Sequence, residues 1–262
     1  MKAVLETITP KKAAELLKKN THNRPCMMSY VDELSAAILR GEWKVNGDTI
    51  KLNGDVLVDG QHRLHAVVKS GKSIVTYIVR GVQADAFNTI DLGRKRTTGQ
   101  LLARDGFKHY NTLSAAARTI YMYETGRMRI LSSRVGDFSP SVAFGVVESH
   151  SGLVDSVDFV LSVGAHSIAP GGSIAAFHWL MKQKDDVLAD TFWTQVCTGE
   201  HIGAKDPSFI LRRRLIDNRK SQAKLRGYVL AALFVKAWNA TRAGKAIGTL
   251  KFMDDESFPE VQ

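Results

Sequence analysis

The N-terminal part of the chain mixes the hydrophobic period of a helix with that of a strand. Helical spacing predicts one helix from Pro10 to near Asn20, with Thr9 as its N-cap, and a second from about Ser29 to Gly41. A short helix is predicted over 84–91. Apolar runs bounded by turn residues predict strands at 43–45, 49–52, 56–58 and 74–79. This mixture predicts a domain of helices and strands over residues 1–108.

From residue 112 onward the hydrophobic pattern is helical throughout. Helices are predicted at 112–123, 141–149, 153–163, 174–183, 186–197, 208–218 and 223–243. The pairs Ser139-Pro140 and Asp206-Pro207 are typical helix N-termini. The predicted fold class is therefore α+β, with an all-helical domain over 109–262 after the mixed one. The acidic stretch 254–259, which contains a proline, is predicted to be frayed.

The net charge of the chain indicates more about its binding partners than its composition does. Hydrophobic residues make up 44% of the chain and charged residues 24%, as in globular proteins, but the net charge is +10. A basic chain favours polyanionic partners such as nucleic acid, nucleotides or an anionic membrane surface. Cys26 and Cys197 fit no metal or redox spacing. With neither a signal peptide nor a long apolar run, the sequence favours the cytoplasm and no membrane association.

The most informative stretch is a strand that turns into a helix. Three apolar residues at 56–58 are followed by Asp59-Gly60, a pair that is typical of tight turns. From Gln61 onward the apolar residues recur with the spacing of a helix. Gly60 can adopt a positive φ, and a helix N-terminus presents N–H groups and a positive dipole that suit phosphate. Arg63 would add a planar fork of donors to the same anion. An ordinary turn with an exposed arginine is the alternative interpretation.

The sequence of this turn also resembles that of a known protein family. Residues 59–66, Asp-Gly-Gln-His-Arg-Leu-His-Ala, resemble the phosphate-binding box of the ParB/sulfiredoxin superfamily, in which a Gly-x-x-Arg turn opens a helix. They also look like the DGQHR-type domain of proteins from DNA-modification gene clusters. Asn23-Arg24-Pro25 is similar to the family's early box, and Ile-Asp-Leu-Gly-Arg at 90–94 stands at the position of its later one. The resemblance covers roughly residues 8–103 and implies a ParB/sulfiredoxin-like fold there, in a phage or mobile-element protein.

The resemblance also implies a ligand and its contacts. A nucleoside triphosphate, CTP or ATP, would lie against the turn with Mg²⁺ beside it. Asp91 stands where the family has a metal-binding asparagine, and its carboxylate also suits Mg²⁺. The implied nucleotide-binding residues are Arg24, Gly60, Gln61, His62, Arg63 and Arg94, and Asp91 is the implied metal ligand. Candidate bases for hydrolysis are Asp59, His22 and Asp91. Gln61 stands where sulfiredoxins carry a cysteine, so thiolate repair chemistry is excluded.

Three clusters of basic residues are candidates for nucleic-acid contact. They lie at 94–96, among 118–134 together with Tyr121 and Tyr123, and at 212–226. Arginine near aromatic rings can hold a phosphate backbone and stack a base. The predicted contacts are Lys95, Arg96, Arg127, Arg129, Arg212, Arg213 and Arg214. The alternative is that these are solvated helix faces and that the tyrosines belong to the core.

These observations predict a nucleotide-binding, DNA-associated, ParB-like protein that could hydrolyse its nucleotide and form a homodimer. The alternative is an enzyme, a phosphotransferase or nuclease acting in nucleic-acid modification or phage defence. Both share the phosphate pocket, so its residues do not separate them. A third interpretation is that the protein has this fold but an empty pocket, and that it binds DNA through its basic surface alone.

Overall fold

The computed structural model describes residues 1–21, 23, 25–83, 97–131, 138–200 and 203–262. The chain divides into two compact units, one within Met1–Arg96 and Arg134–Ser139, the other within Thr97–Ser133 and Pro140–Gln262. The first combines helices with a sheet, and in its described residues the second is helical. The α+β class is thereby confirmed. The helix predicted at 84–91 lies outside the described residues.

The first unit is built on a four-stranded sheet. Its elements are β1 (Lys2–Ile8), α1 (Pro10–Leu17), α2 (Met28–Leu39), β2 (Thr49–Asn53), β3 (Val56–Asp59), α3 (Gln61–Ser70) and β4 (Ile74–Arg80). The strand order is β1-β4-β2-β3. β1 runs antiparallel to β4 and β3 antiparallel to β2, whereas β2 and β4 are parallel. The strands and helices predicted at 49–52, 56–58 and 74–79, at Pro10 and near Ser29 are confirmed.

The core of this unit lies between the sheet and its helices. Ile50 and Ile78 of the sheet and Leu64 of α3 are fully buried in one cluster. Burying such a side chain contributes about 1.5–3 kcal/mol relative to leaving it exposed. α1 and α2 both pack against α3, which makes α3 the central helix. The Thr9 hydroxyl accepts from the Lys12 amide at 3.2 Å and caps α1, as predicted.

Two features of the sheet differ from the prediction. The predicted strand at 43–45 does not form. Trp43 instead contacts the sheet through its indole Nε1, which donates to the Val75 carbonyl at 2.9 Å. β1 was not predicted. Its Leu5 is 49% exposed, so the strand lacks the strict alternation of apolar and polar positions that marks a half-buried strand.

Glu6 of β1 joins two basic side chains. Its carboxylate accepts from Arg80 of β4 and lies 2.6 Å from the Lys12 Nζ of α1. The bonds from Arg80, first, and Lys12 lower the pKa of Glu6 from 4.5 to about 2. A carboxylate stabilised in this way supports the fold above its ordinary pKa and loses that contribution as the pH falls toward 2.

We therefore expect Glu6→Gln to lower the free energy of unfolding by about 1 kcal/mol at neutral pH, as measured by urea denaturation. The difference between variant and parent should shrink at about pH 3, where the unfolded carboxyl is protonated. Glu15→Gln is the control, because Glu15 is exposed and makes no ion pair with the described part of the chain. Equal stability of Glu6→Gln and the parent at neutral pH would contradict this account of the ion pairs.

The second unit contains eight α-helices in its described residues. They are α4 (Thr98–Arg104), α5 (Tyr110–Glu124), α6 (Pro140–Ser149), α7 (Leu153–Ser162), α8 (Gly171–Lys182), α9 (Asp186–Thr198), α10 (Pro207–Lys220) and α11 (Gly227–Arg242). The seven predicted helical segments are confirmed. α4 was not predicted. α4 begins with a capping box between Thr97 and Gln100 and packs against α5 and α6. Because α4 belongs to the second unit, the two units divide before residue 97, N-terminal to the predicted boundary between 108 and 109.

The core of this unit is aromatic and closely packed. Trp193, Trp238, Phe177, Phe192 and Phe234 are fully buried, and their rings meet mostly edge to face. α5 and α8 are in close contact where α8 carries a glycine. A Cβ at Gly172 would lie 2.5 Å from the Ala115 Cβ of α5. The close contact of these two helices therefore depends on the missing side chain.

The predicted fraying of 254–259 is wrong. Arg129 donates to the carbonyls of Asp254 and Glu256 at 2.8 and 2.6 Å, and the Phe258 ring lies 6.1 Å from that of Tyr123. The segment continues to the end of the chain, where the Trp238 indole donates to the Gln262 carbonyl at 2.9 Å. Aromatic burial and backbone hydrogen bonds outweigh the acidic composition. We call residues 254–262 the C-terminal segment.

Among the described residues, no helix combines the length and apolar character that crossing a bilayer requires.

Candidate functional site

The β3–α3 turn is closed by a residue that must be glycine. Gly60 follows the last residue of β3 and adopts the left-handed conformation, with φ 105° and ψ 7°, immediately before α3. A Cβ at this position would lie 3.0 Å from Ile50 Cγ1 and 3.2 Å from Ile50 Cα in the neighbouring strand. Both the dihedral and the close approach of β2 exclude a side chain. The predicted strand, turn and helix are confirmed here.

The two side chains that follow the glycine point into the unit. Gln61 is 5% exposed and its Oε1 accepts from the Asn20 amide group at 2.9 Å. His62 is 8% exposed and its Nε2 accepts from the backbone N–H of Met27, the N-cap residue of α2, at 3.1 Å. Both side chains therefore fix the turn to the chain around α1 and α2. A ligand at the turn would meet its backbone rather than these side chains.

Arg63 folds back along the sheet. Its Nη1 donates to the Thr49 carbonyl of β2 and lies 3.8 Å from the Asp59 carboxylate. Lys51 of β2 lies 2.6 Å from the same carboxylate oxygen of Asp59. The side chains of Arg63 and Asp59 are only 16% and 12% exposed. The turn thus carries two cations and one anion on its β2 side. Lys51 was not identified from the sequence, because its pairing depends on the register of β2 with β3.

Several predicted site residues lie outside the described part of the chain. They are His22, Arg24, Asp91, Arg94, Lys95 and Arg96. Among the described residues, no group of three or more His, Cys, Asp or Glu side chains is arranged to hold a metal ion. The nucleotide-binding roles of Arg24 and Arg94, the Mg²⁺ ligand and the candidate bases stay predictions.

Most of the predicted nucleic-acid contacts in the second unit have partners inside it. Arg127 donates to the Tyr121 hydroxyl at 2.8 Å, with its guanidinium 5.1 Å from that ring, and Arg129 binds the C-terminal segment. Arg212 donates to the carbonyls of Val196 and Cys197 at the end of α9. These arginines hold local structure together.

Arg213 and Arg214 differ from these arginines. Both are exposed on α10 and form no ion pair with the described residues. Successive helix positions point in directions about 100° apart, so three consecutive arginines cannot share one role. Of the predicted contacts at 212–214, these two positions present their charge to solvent.

Comparison of the chain with protein-family models, with curated proteins and with solved structures returned no match. The resemblance of residues 59–66 to the ParB/sulfiredoxin box therefore stays a prediction.

Proposed function

We propose that the N-terminal turn of α3 binds the phosphates of a nucleotide, and that the protein is a nucleotide-binding, nucleic-acid-associated protein of the ParB/sulfiredoxin type. The observation that carries this proposal is the left-handed Gly60 between β3 and α3. The left-handed glycine lets β3 turn directly into α3, so the free N–H groups and the positive dipole of the helix N-terminus, which suit phosphate, lie at the turn.

The surroundings of the turn support the same proposal. Because the side chains of Gln61 and His62 are buried and hydrogen-bonded, the turn is held in one conformation before a ligand arrives, which lowers the entropic cost of binding. Lys51 and Arg63 place two positive charges beside it, and Asp59 compensates only one of them. The excess charge has the sign that phosphate requires.

The association with nucleic acid is supported by charge. The chain carries a net charge of +10, and the exposed Arg213 and Arg214 present part of it on α10. Positive charge of this kind binds the phosphate backbone without reading sequence, and the affinity falls as salt rises. In this proposal the first unit binds CTP or ATP with Mg²⁺, the second contacts DNA, and slow hydrolysis resets the complex.

The nucleotide prediction is tested by calorimetric titration of the full chain with ATP, CTP, GTP and UTP, each with Mg²⁺. We expect saturable binding of at least one nucleotide and a loss of affinity of about tenfold or more in Arg63→Gln and in Lys51→Gln, since each removes a charge beside the turn. Lys69→Gln is the matched control, because it removes a charge from the other end of α3, where Lys69 pairs with Asp32. Its affinity should stay within about twofold of the parent.

Thermal unfolding of each variant separates loss of binding from loss of fold. Since Arg63 also holds the Thr49 carbonyl, Arg63→Gln has a structural effect of its own, and Lys51→Gln provides the second test. The nucleotide proposal is wrong if none of the four nucleotides binds, or if binding is unchanged in both variants. DNA affinity with and without the bound nucleotide then tests the second half of the proposal.

A further inference from the structure

A pocket of about 430 Å³ opens in the second unit. It is formed by the α7–α8 connection, the end of α10, the α10–α11 connection and the start of α11. Ile168 and Leu230 are buried and Leu225 is half-buried, so part of the pocket wall is apolar. Pockets that hold small molecules in proteins are about 300–1,000 Å³ and combine apolar walls with a few polar groups.

The titratable side chains of the pocket are basic. His166, Arg219 and Lys224 line it and are exposed, and none of its lining residues is acidic. An apolar wall beside exposed cations is complementary to a molecule that has an apolar body and an anionic head.

The two cations are held in place by neutral acceptors. Arg219 Nη1 donates to the His166 carbonyl at 3.1 Å and to that of Ser167, and Lys224 Nζ donates to the Asn218 carbonyl at 3.1 Å. Carbonyl oxygens orient these side chains without neutralising them, and neither cation pairs with a carboxylate of the described residues. The pocket therefore keeps two positive charges that an anionic ligand could neutralise.

Of the three helix ends at the pocket, two are N-termini, and the third, the C-terminus of α10, carries the opposite partial charge. Gly227 lines the pocket and is the first residue of α11, and Pro170 lines it immediately before α8. The N-terminal end of a helix carries partial positive charge, which adds to that of Arg219 and Lys224. The contribution is secondary to the two side chains, because it falls off within the first turn.

We propose that this pocket binds a small organic anion, with a carboxylate or phosphate monoester as head group and an apolar body. The head group pairs with Arg219 and Lys224, and the apolar body lies against Ile168, Leu225 and Leu230. The proposal is independent of the nucleotide site at α3, since the two sites share no residue. A nucleic-acid backbone is a poorer match, because it needs the cations but not the apolar wall.

The test uses three probes with one apolar body: octyl phosphate, octanoate and octanol, each titrated calorimetrically into the full chain below the concentration at which it forms micelles. We expect saturable binding of octyl phosphate, octanoate or both, and binding of octanol weaker by about tenfold or more. The tighter of the two anions identifies the head group as phosphate or carboxylate. Binding of neither anion, or equally tight binding of octanol, would overturn the proposal.

Variants in α10 and in the connection that follows it separate the pocket from general surface charge. Arg219→Gln with Lys224→Gln should weaken binding by about tenfold or more, whereas Arg213→Gln with Arg214→Gln, which removes the same charge from the exposed part of α10, should change it by less than about twofold. Ala169→Leu, which fills the pocket and keeps its charge, provides a second test and should also weaken binding. Equal losses in both double variants would assign binding to surface charge, and no loss in any variant would place the probe elsewhere; either result overturns the proposal.

Discussion

Gly172→Ala should lower the free energy of unfolding by about 3 kcal/mol, the upper end of the usual cost of overpacking a core. The added Cβ would lie 2.5 Å from the Ala115 Cβ and 3.0 Å from the Thr112 carbonyl oxygen, so α5 and α8 would have to separate. The helix propensity of alanine offsets about 1 kcal/mol of the clash, and the figure given is net of that gain. Urea denaturation followed by circular dichroism measures it.

Two further variants make this prediction specific. Gly145→Ala is the same substitution in α6, where the added Cβ would have no neighbour within 4 Å, and we expect it to stabilise the protein by up to about 1 kcal/mol. Ala115→Gly combined with Gly172→Ala should recover only part of the loss, since the clash with the Thr112 carbonyl remains. A Gly172→Ala protein as stable as the parent would show that the two helices are not in close contact.

Acidification should destabilise the second unit through His178. This side chain is 1% exposed, stacks on Phe159 with 4.1 Å between ring centroids, and its Nε2 lies 2.8 Å from an Asp190 carboxylate oxygen. Burial lowers the pKa of His178 from 6.5 to about 4, even though the bond to Asp190 acts in the opposite direction. Desolvation therefore outweighs the nearby carboxylate, and the imidazole stays neutral in the folded protein at neutral pH.

The direction of the effect follows from proton binding. Between pH 6.5 and about 4 the unfolded chain binds a proton at His178 that the folded chain does not, so stability falls as the pH falls. Over that window the loss is about 3 kcal/mol, and it does not grow further once both states are protonated. The buried Nδ1 has no hydrogen-bond partner among the described residues, so nothing in that part of the chain compensates a proton there.

His178→Gln isolates this contribution, because glutamine can still donate to Asp190 and does not titrate. Urea denaturation of parent and variant from neutral pH down to about pH 4 should show a smaller loss of stability in the variant, by about 3 kcal/mol over the window. Other groups titrate in both proteins alike, so the difference between them reports His178. The same pH dependence in both proteins would mean that His178 gains its proton as readily in the folded state as in the unfolded one.

The features predicted correctly from the sequence are local ones. The β3–α3 turn was predicted because Asp59-Gly60 separates a strand pattern from a helical one within a few residues, and the helices of the second unit follow from a period that each segment carries by itself. β1 was missed because it depends on pairing with β4, which follows more than sixty positions later, as in the pair Leu5 and Tyr77. Tertiary contacts of this kind leave no periodic pattern.

The candidate site at the β3–α3 turn likewise combines local features, which the sequence predicts, with contacts from distant elements, which it does not. The backbone conformation of Gly60 was predictable, but the partners of Arg63 were not, because Thr49 and Lys51 reach the turn only through a hairpin whose register shifts between Lys51 and Leu52. Likewise, Arg129 is one of several basic residues in the sequence, and only the fold brings the C-terminal segment to it. Side-chain partners that come from distant elements are the part that sequence patterns do not contain.

The C-terminal segment also determines when the second unit can finish folding in the cell. The Val261 amide donates to the Tyr123 hydroxyl across 138 positions of sequence. At a synthesis rate of about 5–20 residues per second, α5 leaves the ribosome on the order of ten seconds before that partner exists. During this interval the aromatic surface around Tyr123 and Phe177 lacks the cover that Phe258 provides in the finished fold. α11 is therefore synthesised before the aromatic core that Phe258 covers can close.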